Sequence, residues 1–266
     1  QAFFTGLSKH SFALSNKADK NGEVMLQNSK AEKNYYGLKS AANIKCRVLE
    51  SSFEGLSLKI DGVDFWSPLI GKFNAYNLTA VYGVAKLLGE DKIDVLRELS
   101  TLDSVDGRFQ YAYKNNIHGI VDYAHTPDAL ENVLKTIKDI GPKGRVITVV
   151  GCGGDRDRTK RPKMAAIAAQ FSDQIVITSD NPRTEDPQLI IDEMLEGLKA
   201  DHRAKTLSMV NSKEAIRTAC ALAYKEDVIL VAGKGHETYQ EINGVRNHFD
   251  DSEELNEALN SKSKIN

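Results

Sequence analysis

The hydrophobic pattern of the first part of the chain is short and strand-like. Apolar segments at residues 42–49 and 55–60 are separated by turn residues, as is typical of a small β-sheet. Asp61–Gly62 lies between two strand-like runs, and an Asp-Gly pair in that position favours a tight hairpin turn. The pattern therefore predicts a sheet with a hairpin at residues 61 and 62.

Apolar residues at helical spacing follow this region. They predict a helix over residues 75–88 that stops at Gly89, because glycine readily adopts the left-handed conformation that closes a helix. A second, shorter helix is predicted over residues 91–99. The buried face of the first helix is expected to consist of Leu78, Val81, Ala85 and Leu88.

From about Arg108 the chain alternates between apolar strands and amphipathic helices. Thr126, Asp186 and Asn211 are each placed to cap the start of a helix, because their side chains can accept hydrogen bonds from its first N–H groups. Further helices are predicted over residues 162–170 and 252–259. The strands of this part are predicted at residues 117–121, 145–150, 174–178, 205–210 and 228–232.

These strands are apolar throughout, which is typical of a parallel sheet that helices cover on both faces. Residues 106–266 are therefore predicted to form a doubly wound α/β domain with a mostly parallel sheet. Residues 1–105 are predicted to be a separate domain. The 266 residues, of which 41% are hydrophobic, are enough for two modest cores.

Polar, charged or glycine-rich loops follow four of the strands. The loops begin at Asp122, Gly151, Ser179 and Gly233. Because the carboxyl ends of parallel strands meet at one edge of a sheet, basic and acidic side chains are expected to lie together there. Arginine binds carboxylates through two parallel hydrogen bonds, whereas acidic side chains bind ammonium groups. The edge is suited to a ligand that carries both carboxylates and ammonium groups.

Each loop taken alone has a simpler interpretation. The sequence at residues 180–182 favours a turn, and His125 can stabilise its own turn. The glycines at residues 151–154 are not a dinucleotide fingerprint, because Arg156 stands where the third glycine would fall. His236–Glu237 is not a HExxH zinc motif, because Gln240 replaces the second histidine. Only the coincidence of four such loops favours a ligand site.

Composition and charge exclude several classes of protein. The formal net charge of -2 argues against a broad nucleic-acid surface, which needs clustered lysine and arginine. No apolar run is long enough to span a bilayer, and the first residues lack the features of a signal peptide. Cys46, Cys152 and Cys220 are far apart and odd in number, so we expect reduced thiols in a cytoplasmic protein, without disulfides or a zinc site.

Five segments in fixed order resemble the Mur ligase family, and within it the MurE type. The resemblance extends from about residue 70 to residue 251, and its DNPR sequence is typical of the members that add meso-diaminopimelate. It implies that residues 1–105 are the end of a central ATPase domain and residues 106–266 a Rossmann-like C-terminal domain. The segments are GKFNAYN (71–77), VDYAHTPDAL (121–130), GCGGDRDRTKRPKMA (151–165), TSDNPRTEDP (178–187) and AGKGHETYQ (232–240).

The resemblance also implies roles for individual residues. It implies that the asparagines of the first segment contact the adenine and that Asp122 lies near the ribose. It implies no catalytic residue and no metal ligand within these 266 residues. The nucleotide-binding residues would be Asn74, Asn77, Arg108, Asp122 and His125. The diaminopimelate-binding residues would be Arg156, Asp180, Asn181, Arg183, Gly233 and Glu237.

The activity implied by the resemblance is ATP-dependent amide-bond formation in the synthesis of the peptidoglycan precursor of the cell wall. ATP phosphorylates the terminal carboxylate of UDP-N-acetylmuramoyl-L-alanyl-D-glutamate, and the amine of meso-diaminopimelate attacks the acyl phosphate. ATP and magnesium are the implied cofactors. The UDP-linked dipeptide and diaminopimelate are the implied partners, with neither nucleic acid nor membrane insertion.

The chain lacks one sequence that this activity requires. It contains no GxxxxGK[ST], the loop whose N–H groups hold the phosphates of ATP. Its first residues, QAFFTGL, look like the middle of a helix, so we expect a C-terminal portion whose magnesium ligands and carbamylated lysine lie upstream. Residues 16–19 read Asn-Lys-Ala-Asp, where the family usually has Asn-x-Asp-Asp.

Two alternatives stay open at this point. One is a related ligase, such as a lysine-adding or folylpolyglutamate enzyme, although the intact DNPR and GKGHE sequences argue against it. The other is a non-catalytic ligand-binding protein that has kept the fold.

We predict that the 266-residue chain alone has no ligase activity, because it has no loop to hold the ATP phosphates. The measurement is ATP- and diaminopimelate-dependent turnover of the UDP-linked dipeptide by the pure chain. Clear formation of the tripeptide product would contradict the prediction.

Overall fold

The computed structural model describes residues 2–38 and 42–262. The chain divides into two compact units, Gln1–Asp103 and Ser104–Asn266. No helix in the described part is both long and apolar enough to cross a membrane.

The first unit contains a five-stranded sheet in the order β1-β2-β3-β4-β5, with helix α3 packed against β1, β2 and β3. The first three strands are parallel, and the last three form an antiparallel meander. The strands are β1 (Phe12–Asn16), β2 (Glu32–Gly37), β3 (Ile44–Ser52), β4 (Gly55–Ile60) and β5 (Val63–Ser67). The helices are α1 (Ala2–Thr5), α2 (Gly22–Leu26), α3 (Lys72–Leu87) and α4 (Lys92–Leu99).

The hairpin predicted at residues 61 and 62 is confirmed. Asp61 and Gly62 connect β4 to β5 with φ angles of 44° and 85°, the left-handed conformations that a two-residue hairpin turn requires. The short helix is confirmed as α4, which Asp91 caps by accepting hydrogen bonds from the N–H groups of Ile93 and Asp94.

The face predicted for α3 is wrong in part. Leu78 is buried as expected, but Val81 is 53% exposed and Leu88 is 66% exposed. The buried stripe instead runs through Ala75, Leu78, Thr79, Tyr82 and Gly83. Tyr82 packs its ring into the core and directs its hydroxyl to Asp61, so an amphipathic side chain replaces the aliphatic one that the pattern favoured.

The second unit is built on a six-stranded sheet in the order β10-β9-β8-β11-β7-β6. All neighbours are parallel except β6, which pairs antiparallel with β7 at one edge. The strands are β6 (Gln110–Lys114), β7 (Ile117–Asp122), β8 (Val146–Cys152), β9 (Gln174–Ser179), β10 (Thr206–Met209) and β11 (Val228–Ala232). The doubly wound, mostly parallel sheet predicted from the apolar strands is therefore confirmed.

Helices follow the parallel strands, as the alternating pattern predicted. Successive helices α5, α6 and α7 pack against one another, and α9 packs against α10. A hairpin of β12 (Tyr239–Ile242) and β13 (Val245–His248) lies outside the sheet. The helices are α5 (Pro127–Ile140), α6 (Arg161–Phe171), α7 (Pro187–Leu195), α8 (Ala200–Arg203), α9 (Ser212–Leu222) and α10 (Asp251–Lys262).

The three predicted helix caps are confirmed. The side chains of Thr126, Asp186 and Asn211 accept hydrogen bonds from backbone N–H groups in the first turns of α5, α7 and α9. These caps set where each helix begins. They therefore also set where each loop ends at the carboxyl edge, which is the edge of the sheet where the carboxyl ends of the parallel strands lie.

Register places four strand ends at one edge of the sheet. Ala232 at the end of β11 lies opposite Asp122 on β7 and Val150 on β8, and Cys152 lies opposite Ser179 on β9. The loops that follow these strands leave the sheet on the same side, as predicted.

Candidate functional site

The centre of the site is the ammonium group of Lys234, which follows β11. Lys234 is 3% exposed, and its Nζ donates hydrogen bonds to Asn181 Oδ1 at 2.9 Å and to the Tyr239 carbonyl at 2.7 Å. Asp180 Oδ1 lies 3.1 Å from the same nitrogen and forms an ion pair with it. A buried cation needs such partners, because an unpaired charge is very costly to remove from water. Lys234 therefore joins the loop after β11 to the loop after β9.

Asn181 is the second connection between these loops. Its side chain is 2% exposed, and Oδ1 accepts from both Lys234 Nζ and the Glu241 N–H, the latter at 2.9 Å. Its Nδ2 donates to Glu237 Oε2, also at 2.9 Å. The side-chain oxygen thus accepts two hydrogen bonds within the chain, and the side-chain nitrogen orients the carboxylate of Glu237. Direct contact between Asn181 and a ligand stays a prediction.

Arg183 combines a left-handed backbone conformation with a guanidinium group that pairs with no described carboxylate. Its φ of 53° lies in the left-handed region, and its Nη1 donates to the Gly154 carbonyl at 2.8 Å. A Cβ atom on Gly153 would lie only 2.9 Å from this nitrogen, so a side chain there would require the guanidinium to shift. Within residues 2–38 and 42–262, no carboxylate pairs with Arg183. Its positive charge is therefore available for an anionic ligand.

The hairpin holds Arg183 in this conformation. The Arg183 N–H donates to the Glu241 carbonyl at 3.1 Å, and the Asn243 N–H donates to the Arg183 carbonyl at 2.7 Å. Asn243 and Gly244 form the hairpin turn with φ angles of 49° and 78°. Asn-Gly is a strong hairpin signal, so this element, which the sequence analysis missed, was detectable.

A buried charge network supports the same loop from the other side. Arg161 at the start of α6 is fully buried and binds Glu185 Oε1 at 2.9 Å and Glu193 Oε2 at 2.7 Å. Glu185 also accepts from Arg158 and from the Asp155 N–H. The hydrogen bonds from Arg161 are the main cause that lowers the pKa of Glu185 to about 2. The network keeps the loop after β8 against the loop after β9.

Arg156 and Gly233 flank this region. Arg156 is exposed and uses one guanidinium nitrogen on the Asp155 carbonyl at 3.1 Å, so most of its donors face solvent. Gly233 has a φ of 137°, and the nearest atoms to a Cβ placed there are Asp180 Oδ2 and the Gly151 carbonyl, both at 3.9 Å. The six residues expected to bind diaminopimelate thus all lie in the loops of one sheet edge.

Asp122, Arg108 and His125 lie on the β7 side of the edge. Asp122 is 7% exposed, accepts from the Phe109 N–H at 2.8 Å, and has its pKa raised by burial. The guanidinium of Arg108 lies 4.9 Å from the centre of the Tyr123 ring, a cation–π contact. The rings of His125 and His236 lie 4.6 and 5.1 Å from the same ring.

A pocket of about 780 Å³ opens beside this aromatic group, within the size range of small-molecule sites. Its lining combines basic, acidic and neutral polar side chains with backbone. The lining includes Arg108, Gln110, Gly235, His236, Thr238 and Asp250. The pocket is large and polar enough for part of a nucleotide.

Asn74 and Asn77 belong to the first unit, in the first turns of α3. Asn74 Nδ2 donates to the Ile70 carbonyl at 2.8 Å, and Asn77 Nδ2 donates to Asn74 Oδ1 at 3.2 Å. Asn77 is exposed and keeps its own Oδ1 available for a donor. Both are suited to bind a base edge, and that role stays a prediction.

The three thiols and the possible metal ligands are the remaining candidates for a part in the site. Cys46, Cys152 and Cys220 are buried free thiols, and burial raises the pKa of Cys152 and Cys220 to about 12, so these two are protonated and unreactive. In the described part of the chain, no three histidine, cysteine, aspartate or glutamate side chains are arranged to hold a metal ion.

Asp251 is a member of the site that the sequence analysis missed. It is the first residue of α10 and only 4% exposed, and it lines a small cavity together with Asp180 and Lys234. Burial, followed by the negative charge of Asp180, raises the pKa of Asp251 to about 7. No local motif indicated this, because the position of Asp251 depends on how α10 packs. Lys234, by contrast, lies inside the GKGHE segment and could have been chosen.

Two family models match the chain. One, described as Mur ligase middle domain, matches residues 1–85, and the other, described as Mur ligase, glutamate ligase domain, matches residues 107–235. A curated relative from Cytophaga hutchinsonii, named UDP-N-acetylmuramoyl-L-alanyl-D-glutamate--2,6-diaminopimelate ligase, is 53% identical over 263 residues. The alignment covers 98% of this chain and 54% of that relative. The chain therefore spans about half the length of the curated relatives it matches.

Solved structures agree with this relation. A structure of a UDP-N-acetylmuramoyl-L-alanyl-D-glutamate--2,6-diaminopimelate ligase is 36% identical and superposes with a TM-score of 0.69, over 95% of this chain and 54% of that one. The MurF ligase from Thermotoga maritima, solved in complex with ADP, shares the fold with a TM-score of 0.66 at 15% identity. It is matched over 98% of this chain and 56% of its own.

The raised pKa of Asp251 predicts a pH-dependent stability. The native state holds the Asp251 proton more tightly than the unfolded chain does. The contribution of this carboxyl group to the free energy of unfolding is therefore full below pH 4 and is lost as the pH rises to about 7. Asp251→Asn removes this loss. From pH 5 to pH 8 the wild type should lose about 2–3 kcal/mol more unfolding free energy than the variant. Urea unfolding at both pH values measures this, with Glu257→Gln, an exposed carboxylate of the same helix, as control. Equal losses in wild type and Asp251→Asn would contradict the prediction.

Proposed function

Because this chain belongs to the Mur ligase family, we propose that it provides the amino-acid site and part of the nucleotide site of an ATP-dependent ligase. The enzyme would join meso-diaminopimelate to UDP-N-acetylmuramoyl-L-alanyl-D-glutamate in peptidoglycan precursor synthesis in the cytoplasm. The names of relatives that are 53–56% identical to this chain support this substrate pair. They argue against a non-catalytic role.

The observation that carries the proposal is the separation of charges at the carboxyl edge. Arg183 has no carboxylate partner in the described part, and Arg156 is exposed. Asp180 and Glu237 lie at the same edge, in the loops that Lys234 and Asn181 hold together. Diaminopimelate carries two carboxylates and two ammonium groups. The arginines suit its carboxylates and the acidic residues its ammonium groups.

The chain's residues bind and orient the amine for reaction. Diaminopimelate has two amino groups. The acidic side chains bind the one at the far end of the amino acid, which directs the reacting amine away from the edge. Loops braced by buried ion pairs keep these contacts in one geometry, which lowers the entropic cost of bringing amine and carboxylate together. The GCGG and DNPR loops are thus preorganised before ligand binds.

The nucleotide side is proposed to be the pocket beside Tyr123. Arg108 and Asp122 suit a phosphate or ribose, since arginine binds phosphate oxygens and a carboxylate accepts from ribose hydroxyls. ATP would supply the phosphoryl group that activates the carboxylate of the dipeptide. Magnesium is proposed only for the complete enzyme, because the described residues offer no cluster for it, and we assign it no ligand here.

Arg183 is predicted to select diaminopimelate over lysine, because the two amino acids differ by one carboxylate at the far end of the side chain. A charge-assisted hydrogen bond contributes about 1.5–3 kcal/mol, so Arg183→Ala should weaken binding of diaminopimelate roughly ten- to a hundredfold. Lysine binding should change much less. Calorimetric titration of both amino acids into wild type and variant measures this.

The matched control is Arg217→Ala, which removes an exposed arginine of α9 that pairs with Glu214. It should leave both affinities unchanged. The competing idea is that Arg183 only braces its loop. In that case Arg183→Ala would weaken both amino acids equally, and Arg156 would become the next candidate.

Asp122 is predicted to act on the nucleotide and not on the amino acid, because it lies at the end of β7 beside Arg108. Asp122→Asn keeps an oxygen for the Phe109 N–H and removes the charge. In the full-length ligase it should raise the apparent KM for ATP roughly tenfold and that for diaminopimelate by much less. The reverse ranking would exclude this assignment.

A further inference from the structure

A small cavity adjoins the acidic side of the amino-acid site, with Asp180, Lys234 and Asp251 in a wall that is otherwise largely apolar. It has a volume of about 20 Å³, which is room for about one water molecule. Thr178 Oγ1 is buried in its wall and makes no hydrogen bond within the described part of the chain, while Asp180 Oδ1, also buried there, has the ion pair with Lys234. The polar groups of this wall can therefore exchange charge or hydrogen bonds only with one another or with a small polar occupant.

The charges around this cavity are unbalanced. Lys234 provides one positive charge, while Asp180 and Asp251 provide two carboxyl groups that share the cavity wall with it. Asp251 faces Asp180 and Lys234, with Glu237 and Asp250 also close enough to affect its charge. On the side of α9, Lys213 is already paired with Glu254 and Glu257 of α10. Only one carboxylate can be neutralised by Lys234.

Opposing effects act on the protonation of the Asp251 carboxyl group. Burial and the neighbouring carboxylates favour the protonated form. Its position in the first turn of α10 favours the ionised form, because the N-terminus of a helix is positive. A new positive charge nearby would favour the ionised form.

We propose that Asp251 is a positioning residue for the amino-acid substrate, which releases its proton when an ammonium group of the substrate binds at Asp180 and Glu237. The inference rests on the proposed function for the identity of the ligand. Lys234 carries one positive charge and cannot neutralise both Asp180 and Asp251. The ammonium group of the substrate supplies the second positive charge. The ionised Asp251 then holds Lys234 on its own side of the cavity, which leaves more of the Asp180 carboxylate for the substrate.

This proposal has a thermodynamic signature. Because binding releases a proton, affinity for diaminopimelate must increase with pH in the range where Asp251 is protonated in the free protein. We expect the affinity of the wild type to rise about five- to tenfold between pH 6 and pH 8. Calorimetry in buffers of different ionisation enthalpy should detect about half a proton released per bound ligand at pH 7.

Asp251→Asn reproduces the protonated side chain in size and hydrogen bonding. It should bind diaminopimelate as the wild type does at pH 6, five- to tenfold more weakly than the wild type at pH 8, and without the proton release. A purely structural role would weaken binding equally at both pH values. Glu257→Gln, on the same helix and exposed, should retain the pH dependence and the proton release of the wild type.

The outcomes separate the two proposals. If diaminopimelate binds the wild type but its affinity and proton release do not depend on Asp251, this inference is overturned and the proposed function stands. If diaminopimelate binds at neither pH, the proposed function fails and this inference fails with it. The proton-release measurement on the wild type needs no variant, so absence of released protons overturns the inference even if Asp251→Asn does not fold.

Discussion

The structure of the second unit depends on one buried cation. The ammonium group of Lys234 lies at the carboxyl edge of the sheet, where it contacts the side chains of Asp180 and Asn181 and the backbone of Tyr239. Moving a charge from water into a protein interior is costly, and only partners on all sides compensate for it. The loops after β9 and β11 must therefore stay in contact, and this contact brings Glu237 to the side chain of Asn181.

A second buried cation does the same for the neighbouring loop. Arg161 has no exposed surface, and it holds Glu185 and Glu193 while one of its nitrogens donates to the Gly153 carbonyl. In the described part of the chain Arg183 has no carboxylate partner, and Glu185, two residues later, is bound by Arg161. The acidic residue nearest to Arg183 in sequence is thus engaged by a different arginine.

The two sides of the edge use different chemistry. The side of β9 and β11 consists of paired charges, whereas the side of β7 presents rings tilted against one another, with Arg108 over Tyr123 and two histidines beside it. Flat, weakly polar surfaces suit a planar or ribose-bearing ligand, and charge pairs suit a small zwitterion. The position of β11 between β7 and β8 brings both surfaces to the same edge.

Much of the second unit was determined by local sequence. Apolar strands, capping residues such as Thr126, and polar loops after the strands follow short-range rules that hold wherever the segment lies. These rules were sufficient for the parallel sheet, for the helix starts and for the convergence of four loops. They were also sufficient for the hairpin at Asp61, because its turn conformation depends on two adjacent residues.

Tertiary structure alone decided the remaining features. The buried face of α3 was set by the fit of Tyr82 against the first sheet, not by the count of aliphatic residues. The ionisation of Asp251 depends on α10 bringing it against Asp180 and Lys234, which are distant in sequence. Whether a side chain is exposed, paired or protonated is decided by neighbours that the fold supplies. Sequence determined which groups reach the edge, and packing determined which of their charges remain free to bind a ligand.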